Sequence, residues 1–218
     1  AGRGVKRVRP VEASLVLEQL AELRRTMAPA AVKTGVLPTR ACVEGLAREL
    51  ESWRVPIVID PVSEAGAGGR LAAPSATKAI SGRLFPLATL LTVNLAEASA
   101  LLGQRVDSPE AMKEAARELA RLGPAAVLLK GGHLAGQPSD VLWDGQRMSH
   151  YRGRRIEGLD MHGSGCALAS AIAAGLARAM PLRGALAMAR RHVRSLIRAA
   201  LPLDGGRGLR PPLGRRSY

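Results

Sequence analysis

The sequence predicts an α/β fold, with a mostly parallel β-sheet covered by helices on both faces. Three observations carry this. Apolar runs of strand length alternate along the chain with stretches whose apolar residues recur at helical spacing. Strands that alternate with helices in this way form parallel sheets whose two faces are both buried. Hydrophobic residues make up 47% of the chain but aromatics only 2%, so the core must be built from Leu, Val, Ile and especially Ala, which favours helices packed closely on a sheet.

The elements follow in order. Residues 12–25 repeat apolar positions at helical spacing, and 30–37 (AAVKTGVL) read as a short buried strand. A helix over 39–52, opened by Thr39, leads to the run Val55-Pro56-Ile57-Val58-Ile59-Asp60, a strand ending in an acid. Residues 62–74 are rich in Gly, Ala and Ser and predict a mobile loop. Next come a helix over 75–84, a strand over 88–93, helices over 95–102 and 109–122, and a strand over 125–130. Strands near 140–143 and 148–156 flank Asp144-Gly145 as a hairpin, and Ala-rich helices follow over 164–179 and 183–200. The tail from Leu201 repeats Gly, Pro and Arg and is expected to be a surface strap or partly disordered, with 202–218 a basic tail. At 218 residues the whole chain, 1–218, is expected to be a single domain.

A net charge of +14 raises the question of a nucleic-acid partner. The basic residues are mostly Arg spread over predicted helices and the tail (Arg24, Arg48, Arg117, Arg190, Arg215) and do not form a track, and few rings are available for stacking on bases. A solvated Arg-rich surface is the expected reading, one that would still attract an anionic nucleotide. No apolar run reaches the roughly 18 residues that span a bilayer, and no signal peptide opens the chain, so no membrane partner is expected. Cys42 and Cys166 stand in unlike contexts and suggest no disulfide, which fits a reduced cytoplasmic setting.

The strongest local signal for chemistry is His162-Gly163-Ser164-Gly165-Cys166, a glycine-rich turn running into an Ala-rich helix. Amides from Gly163 to Cys166 can converge on one anion, helped by the positive end of the helix. The plain alternative is a helix capped by Ser164. Cys166 would sit in the first turn, where the dipole lowers a thiol pKa. Asp60 ends a strand at what would be the ligand edge, where it could hold Mg²⁺ directly or through water, or serve only as a turn residue. Asn94 and Glu97 follow another strand end as a polar pair that also reads as a capping box. Lys130-Gly131-Gly132-His133 follows a third, with a lysine able to meet phosphates. Together these strand ends offer what phosphoryl transfer requires: charge neutralisation and positioning. No Gly-x-x-x-x-Gly-Lys-Ser/Thr loop is present, which disfavours a P-loop kinase.

VKTGVL at 32–37, VPIVIDPV at 55–62, PLATLLTVNLAEASALLG at 86–103, LLKGGH at 128–133, DVLWDG at 140–145 and HGSGCALASAIAAGLA at 162–177 resemble, in order and spacing, the hydroxymethylpyrimidine and phosphomethylpyrimidine kinases of the ribokinase superfamily. The resemblance implies a ribokinase-like sheet whose N-terminal strands are missing from this chain. It implies Gly163, Ser164 and Gly165 as an anion hole, with Cys166 where many ribokinase relatives carry an aspartate base. It further implies Lys130, Asn94 and Glu97 on the nucleotide, Asp60 and Glu97 near Mg²⁺, and Gly35 with Val36 lining the pyrimidine pocket. The co-substrate would be ATP, and dimers are frequent in the family, so a homodimer is one assembly it implies. A cysteine in place of a base has a physical rationale for a phosphate acceptor, whose second pKa is near 6 and which needs little proton abstraction. The expected activity is thus ATP-dependent phosphorylation of hydroxymethylpyrimidine or its phosphate. A pyridoxal-type vitamin kinase and a non-catalytic ligand-binding or regulatory remnant are the competing readings.

Overall fold

A computed structural model describes residues 4–66, 68–132, 134, 136–156, 161–203 and 206–209. Its main sheet has six strands in the order β1 (Val32–Thr34), β2 (Ile57–Ile59), β3 (Leu90–Asn94), β4 (Val127–Lys130), β5 (Ser139–Trp143) and β6 (Met148–Arg152). The first four are parallel, and β5 and β6 add on as an antiparallel hairpin around the predicted Asp144-Gly145 turn, where Gly145 takes φ +88°. The expected fold is therefore present, and prolines explain the main difference in strand length. Pro56 and Pro61 bracket β2, and Gly35 and Pro38 follow β1, so both ladders stop sooner than the apolar runs do.

Alternation along each strand sends side chains to two separate cores. Ile57, Ile59, Leu91, Val93, Val127 and Leu129 pack with α2 (Arg40–Leu50), α3 (Pro74–Ala79) and α5 (Pro109–Ala120), and the partly buried face of α1 (Ala13–Met27) lies against the same cluster. Val58, Leu90, Leu128 and Leu142 pack on the opposite face with α6 (Ser164–Ala177) and α7 (Leu182–Arg198). Those two helices approach closely because α6 presents Gly175, where a Cβ would lie 2.8 Å from Ala185 Cβ. Thr39 caps α2 as expected, its hydroxyl accepting from Cys42 N at 3.2 Å. Among the described residues no helix is long and apolar enough to cross a membrane, and both cysteines are free.

Two expectations are corrected. The helix expected over 75–84 is α-helical only to Ala79; Ile80–Leu84 widens to a π turn and Phe85–Leu87 tightens to a 3₁₀ turn, because Pro86 has no amide to continue the ladder. The tail is not a plain strap: β8 (Leu201–Leu203) and β9 (Gly206–Gly208) return beside β7 (Met161–His162) as a small second sheet, in the order β7-β9-β8. That sheet holds the segment just before α6 against the segment just after α7. The rest of the basic tail, 210–218, lies outside the described residues.

Gly131, just after β4, is closely packed, since a Cβ there would lie 2.0 Å from the Ser139 carbonyl oxygen. Gly131→Ala is therefore expected to lower the unfolding free energy by about 3 kcal/mol through overpacking. Urea titration measures this, and a change below about 0.5 kcal/mol would show that the β4–β5 connection relaxes freely.

Candidate active site

The C-terminal ends of the parallel strands carry a row of polar side chains on the α6 face. Val58, Leu90 and Leu128 face α6 and α7, so Asp60, Thr92 and Lys130, two residues further along each chain, fall on the same side. Lys33, in register with Val58, joins them from β1.

Asp60 stands at the centre, with no exposed surface. Its Oδ1 accepts hydrogen bonds from Lys130 Nζ at 2.9 Å and Thr92 Oγ1 at 3.0 Å. Its Oδ2 faces Lys33 Nζ at 3.4 Å without a hydrogen bond. Lys130 starts from β4, two strands away, so its side chain crosses β3, where Thr92 fills the gap. Burial alone would raise the Asp60 pKa, but the ammonium of Lys130 and then that of Lys33 overcome it and hold the carboxyl below its ordinary value.

The N-terminus of α6 meets this cluster. Gly163, at φ +83°, occupies the N-cap position in a left-handed conformation that suits a residue without Cβ. Ser164 is the first residue of the helix and not its cap, so the capping alternative for Ser164 does not hold. At Gly165 a Cβ would lie 3.2 Å from Lys130 Nζ, so a bare backbone lets the lysine come up to the first helical turn. Cys166 lies against Asp60, and here the structure reverses an expectation: its thiol pKa is raised. Burial contributes most and the Asp60 carboxylate adds to it, together outweighing Lys33 and Lys130. A helix end carries only about half a charge, less than the full carboxylate beside the sulfur.

Asn94 and Glu97 form a complete capping box for α4 (Leu95–Leu102). Glu97 N donates to Asn94 Oδ1 and Asn94 N donates to Glu97 Oε2, each at 2.8 Å. Burial raises the Glu97 carboxyl more than Lys130 and the Asn94 amide lower it. Gly35 follows β1 and leaves room for Lys33, whose Nζ lies 3.1 Å from where a Cβ would stand, and Val36 beyond it is 42% exposed. His133 lies outside the described residues.

The structure thus brings Asp60, Lys130, Gly165 and Cys166 together, with Glu97 within electrostatic reach and Gly35 at the side. Sequence reasoning passed over three residues that complete the arrangement. Lys33 and Thr92 are polar interruptions of apolar strands, on the same alternation as the strand-end acid, and that was the available signal. Asp140 gives none, because its role is tertiary: it accepts from Gly131 N at 3.2 Å and pairs with Arg190 Nε of α7 at 3.2 Å, which pins the turn after Lys130.

Among the described residues no group of three or more His, Cys, Asp or Glu is placed to hold a metal ion. Mg²⁺ needs no such group, because it keeps several waters and takes phosphate oxygens with one or two carboxylates. The donor set fits that use through Glu97, whose second oxygen makes no hydrogen bond among the described residues. Asp60 fits less directly, since both of its oxygens face lysines.

Known proteins resemble this chain over most of its length. The family profile described as phosphomethylpyrimidine kinase matches residues 2–210. The chain is 42% identical over 208 residues to the thiamine biosynthesis bifunctional protein ThiED of Geobacter sulfurreducens, covering 94% of this chain and 42% of that protein. It is also 42% identical over 178 residues to the hydroxymethylpyrimidine/phosphomethylpyrimidine kinase of Streptomyces coelicolor, covering 82% of this chain and 66% of the other. The chain therefore spans less than two thirds of the length of either relative. Among solved structures, an ADP complex of Bacillus subtilis pyridoxal kinase superposes with a TM-score of 0.86 at 30% identity, over 94% of this chain and 79% of that one.

Two outcomes follow from the buried cluster. Asp60→Asn leaves two largely buried lysines without their shared anion and is expected to cost about 3 kcal/mol at pH 7. Because the folded carboxyl has a depressed pKa, its contribution is present above the unfolded value of about 4 and is lost as the pH falls through the folded one, so the difference should narrow at acid pH. Urea unfolding at pH 7 and pH 3 checks this, and an equal loss at both would mean that the carboxylate charge is not what matters. For Cys166, alkylation by iodoacetamide, followed on its tryptic peptide, should be slower at pH 8 than for a free thiol and should climb steeply only in more alkaline buffer. Rapid labelling at pH 7 would contradict the raised pKa.

Proposed function

The chain belongs to the phosphomethylpyrimidine kinase family, and on that premise we propose that it transfers the γ-phosphoryl group of ATP to hydroxymethylpyrimidine or its phosphate, a step of thiamine biosynthesis. The observation that supports this most is the contact of Lys130 with both Asp60 and the first turn of α6. It sets a lysine and a row of helix-end amides around one spot.

In this reading the amides of Gly163, Ser164, Gly165 and Cys166 bind the migrating phosphoryl group as charge builds on its equatorial oxygens. Lys130 shares that charge, and Asp60 keeps its ammonium aimed. Asn94 and Glu97 lie on the nucleotide side, where the carboxylates of Glu97 and Asp60 would hold Mg²⁺. Bound with ATP, Mg²⁺ supplies neutralisation of the phosphate oxygens. Gly35 and Val36 line the acceptor pocket. The raised thiol pKa of Cys166 makes it a poor base near neutrality, which suits an acceptor that arrives already ionised. The two free cysteines suit a cytoplasmic setting.

The likeness to the Bacillus pyridoxal kinase favours pyridoxal as a second acceptor class. Following ADP release with ATP, Mg²⁺ and each acceptor in turn separates the readings: the pyrimidine phosphate is expected to give the highest kcat/KM, and faster turnover of pyridoxal would reverse the assignment. Lack of turnover with any acceptor would favour a ligand-binding remnant. Lys130→Met is expected to lower kcat roughly 10²- to 10³-fold, the usual loss for one donor to a transition-state anion. Unchanged kcat would remove Lys130 from the phosphoryl site.

A further inference from the structure

The loop that follows Lys130 is held in shape by a residue from another part of the chain. Its first amide, that of Gly131, donates to Asp140, and Leu134 is buried in the cluster that holds α5. Burying the side chain draws the backbone around it out of water, so the loop carbonyls need donors. Arg155, just beyond β6, supplies them. Its Nη1 donates to Gly132 O at 3.2 Å, its Nη2 to Leu134 O at 2.6 Å and to Gly136 O at 2.9 Å, and its Nε to Gly136 O at 3.2 Å. One planar fork thus gathers the carbonyls of Gly132, Leu134 and Gly136, which the compact ammonium of a lysine would not span.

The same contacts place the loop relative to the rest of the site. Arg155 belongs to the connection from β6 to β7, and β7 leads into α6, whose first turn meets Lys130. The guanidinium therefore joins the loop after Lys130 to the chain that enters the anion-binding helix. Gly132 and Gly136 border open space, since a Cβ at either would meet nothing within 4 Å. The donors of Arg155 go to neutral carbonyls, and no carboxylate pairs with it among the described residues, so its positive charge stays with the loop. Open room at the Lys130 strand end, beside a positive charge and a backbone fixed in one shape, suits a nucleotide.

We infer that Arg155 is a positioning residue for the nucleotide: by gathering three carbonyls it holds the loop after Lys130 in its binding shape before ATP arrives. This rests on the kinase reading above, which puts Lys130 on the nucleotide side. Arg155 takes no part in the transfer itself. Without it, ordering the loop would oppose binding, so nucleotide affinity falls while the chemical step is nearly unchanged.

Calorimetric titration of the whole chain with ADP, together with ADP-release kinetics, tests this, and amide hydrogen exchange over 131–136 adds a readout that needs no ligand. Arg155→Gln is expected to weaken ADP binding and raise KM for ATP roughly 10-fold, while kcat and the acceptor KM stay within about threefold. Exchange at the Leu134 amide should quicken by about 10-fold or more. Arg155→Lys should recover less than about a third of the lost affinity, because charge returns without the fork. Arg154→Gln removes an equal charge from an exposed neighbour and should change KM for ATP less than about twofold. Arg155→Met serves if the Gln variant fails to fold by circular dichroism. Full recovery by Lys, or an equal loss in Arg154→Gln, would reduce the effect to charge and overturn the positioning role, as would unchanged ADP affinity in Arg155→Gln. Arg155-dependent ADP binding without turnover of any acceptor would overturn the kinase reading and leave this role standing. No ADP binding by wild type would overturn both.

Discussion

A carboxylate closed to solvent between two ammonium groups is the constraint on which the rest of the site depends. Removing ions of this size from water costs several kcal/mol each, so Asp60 can be buried only while Lys33, Lys130 and Thr92 are held in place around it. These partners come from β1, β4 and β3, and the acid itself from the end of β2. The sheet register is thereby coupled to the charge cluster, since a slip of one residue in any of these strands would turn a partner to the other face. Exposed pairs such as Arg25–Glu22 and Arg40–Glu44 lack this leverage, because water screens them and their loss costs little.

Glycine placement works with the buried charge. Gly35, Gly165 and Gly131 each leave a space that another group uses: Lys33, Lys130 and the Ser139 carbonyl in turn. At the N-terminus of α6 the bare backbone is thus required on both sides, by the left-handed Gly163 and by the lysine that fills the room above Gly165. The second small sheet adds a restraint from behind, joining the residues before α6 to those after α7.

Part of the large basic excess also has structural work. Arg190 of α7 pairs with Asp140 and lies 5.3 Å from the Tyr151 ring centroid, while Arg183 pairs with Asp144 and bonds Ser149, so α7 is fastened to the β5–β6 hairpin. Arg155 donates to the carbonyl oxygens of Gly132, Leu134 and Gly136, bracing the loop that follows Lys130. The guanidinium fork, with five fixed donors, suits these carbonyl clusters better than an ammonium would. Charge that the composition assigned to a solvated surface is partly a set of braces for the hairpin and for the loop after Lys130.

What the sequence by itself determined was local. Apolar spacing set the alternation of strands and helices, prolines ended strands, and Thr39 and Asn94 with Glu97 marked helix starts; each of these depends on a few neighbouring residues. The strand-end acid, the lysine and the glycine-rich turn were legible for the same reason, as short patterns. Only the tertiary structure decided which of them touch. The crossing of Lys130 over β3, the pairing of Lys33 with Asp60, the raised Cys166 thiol and the return of the tail to β7 all rest on groups far apart in the chain. A pKa and a hydrogen-bond partner are set by what burial brings near, and no local pattern encodes that distance.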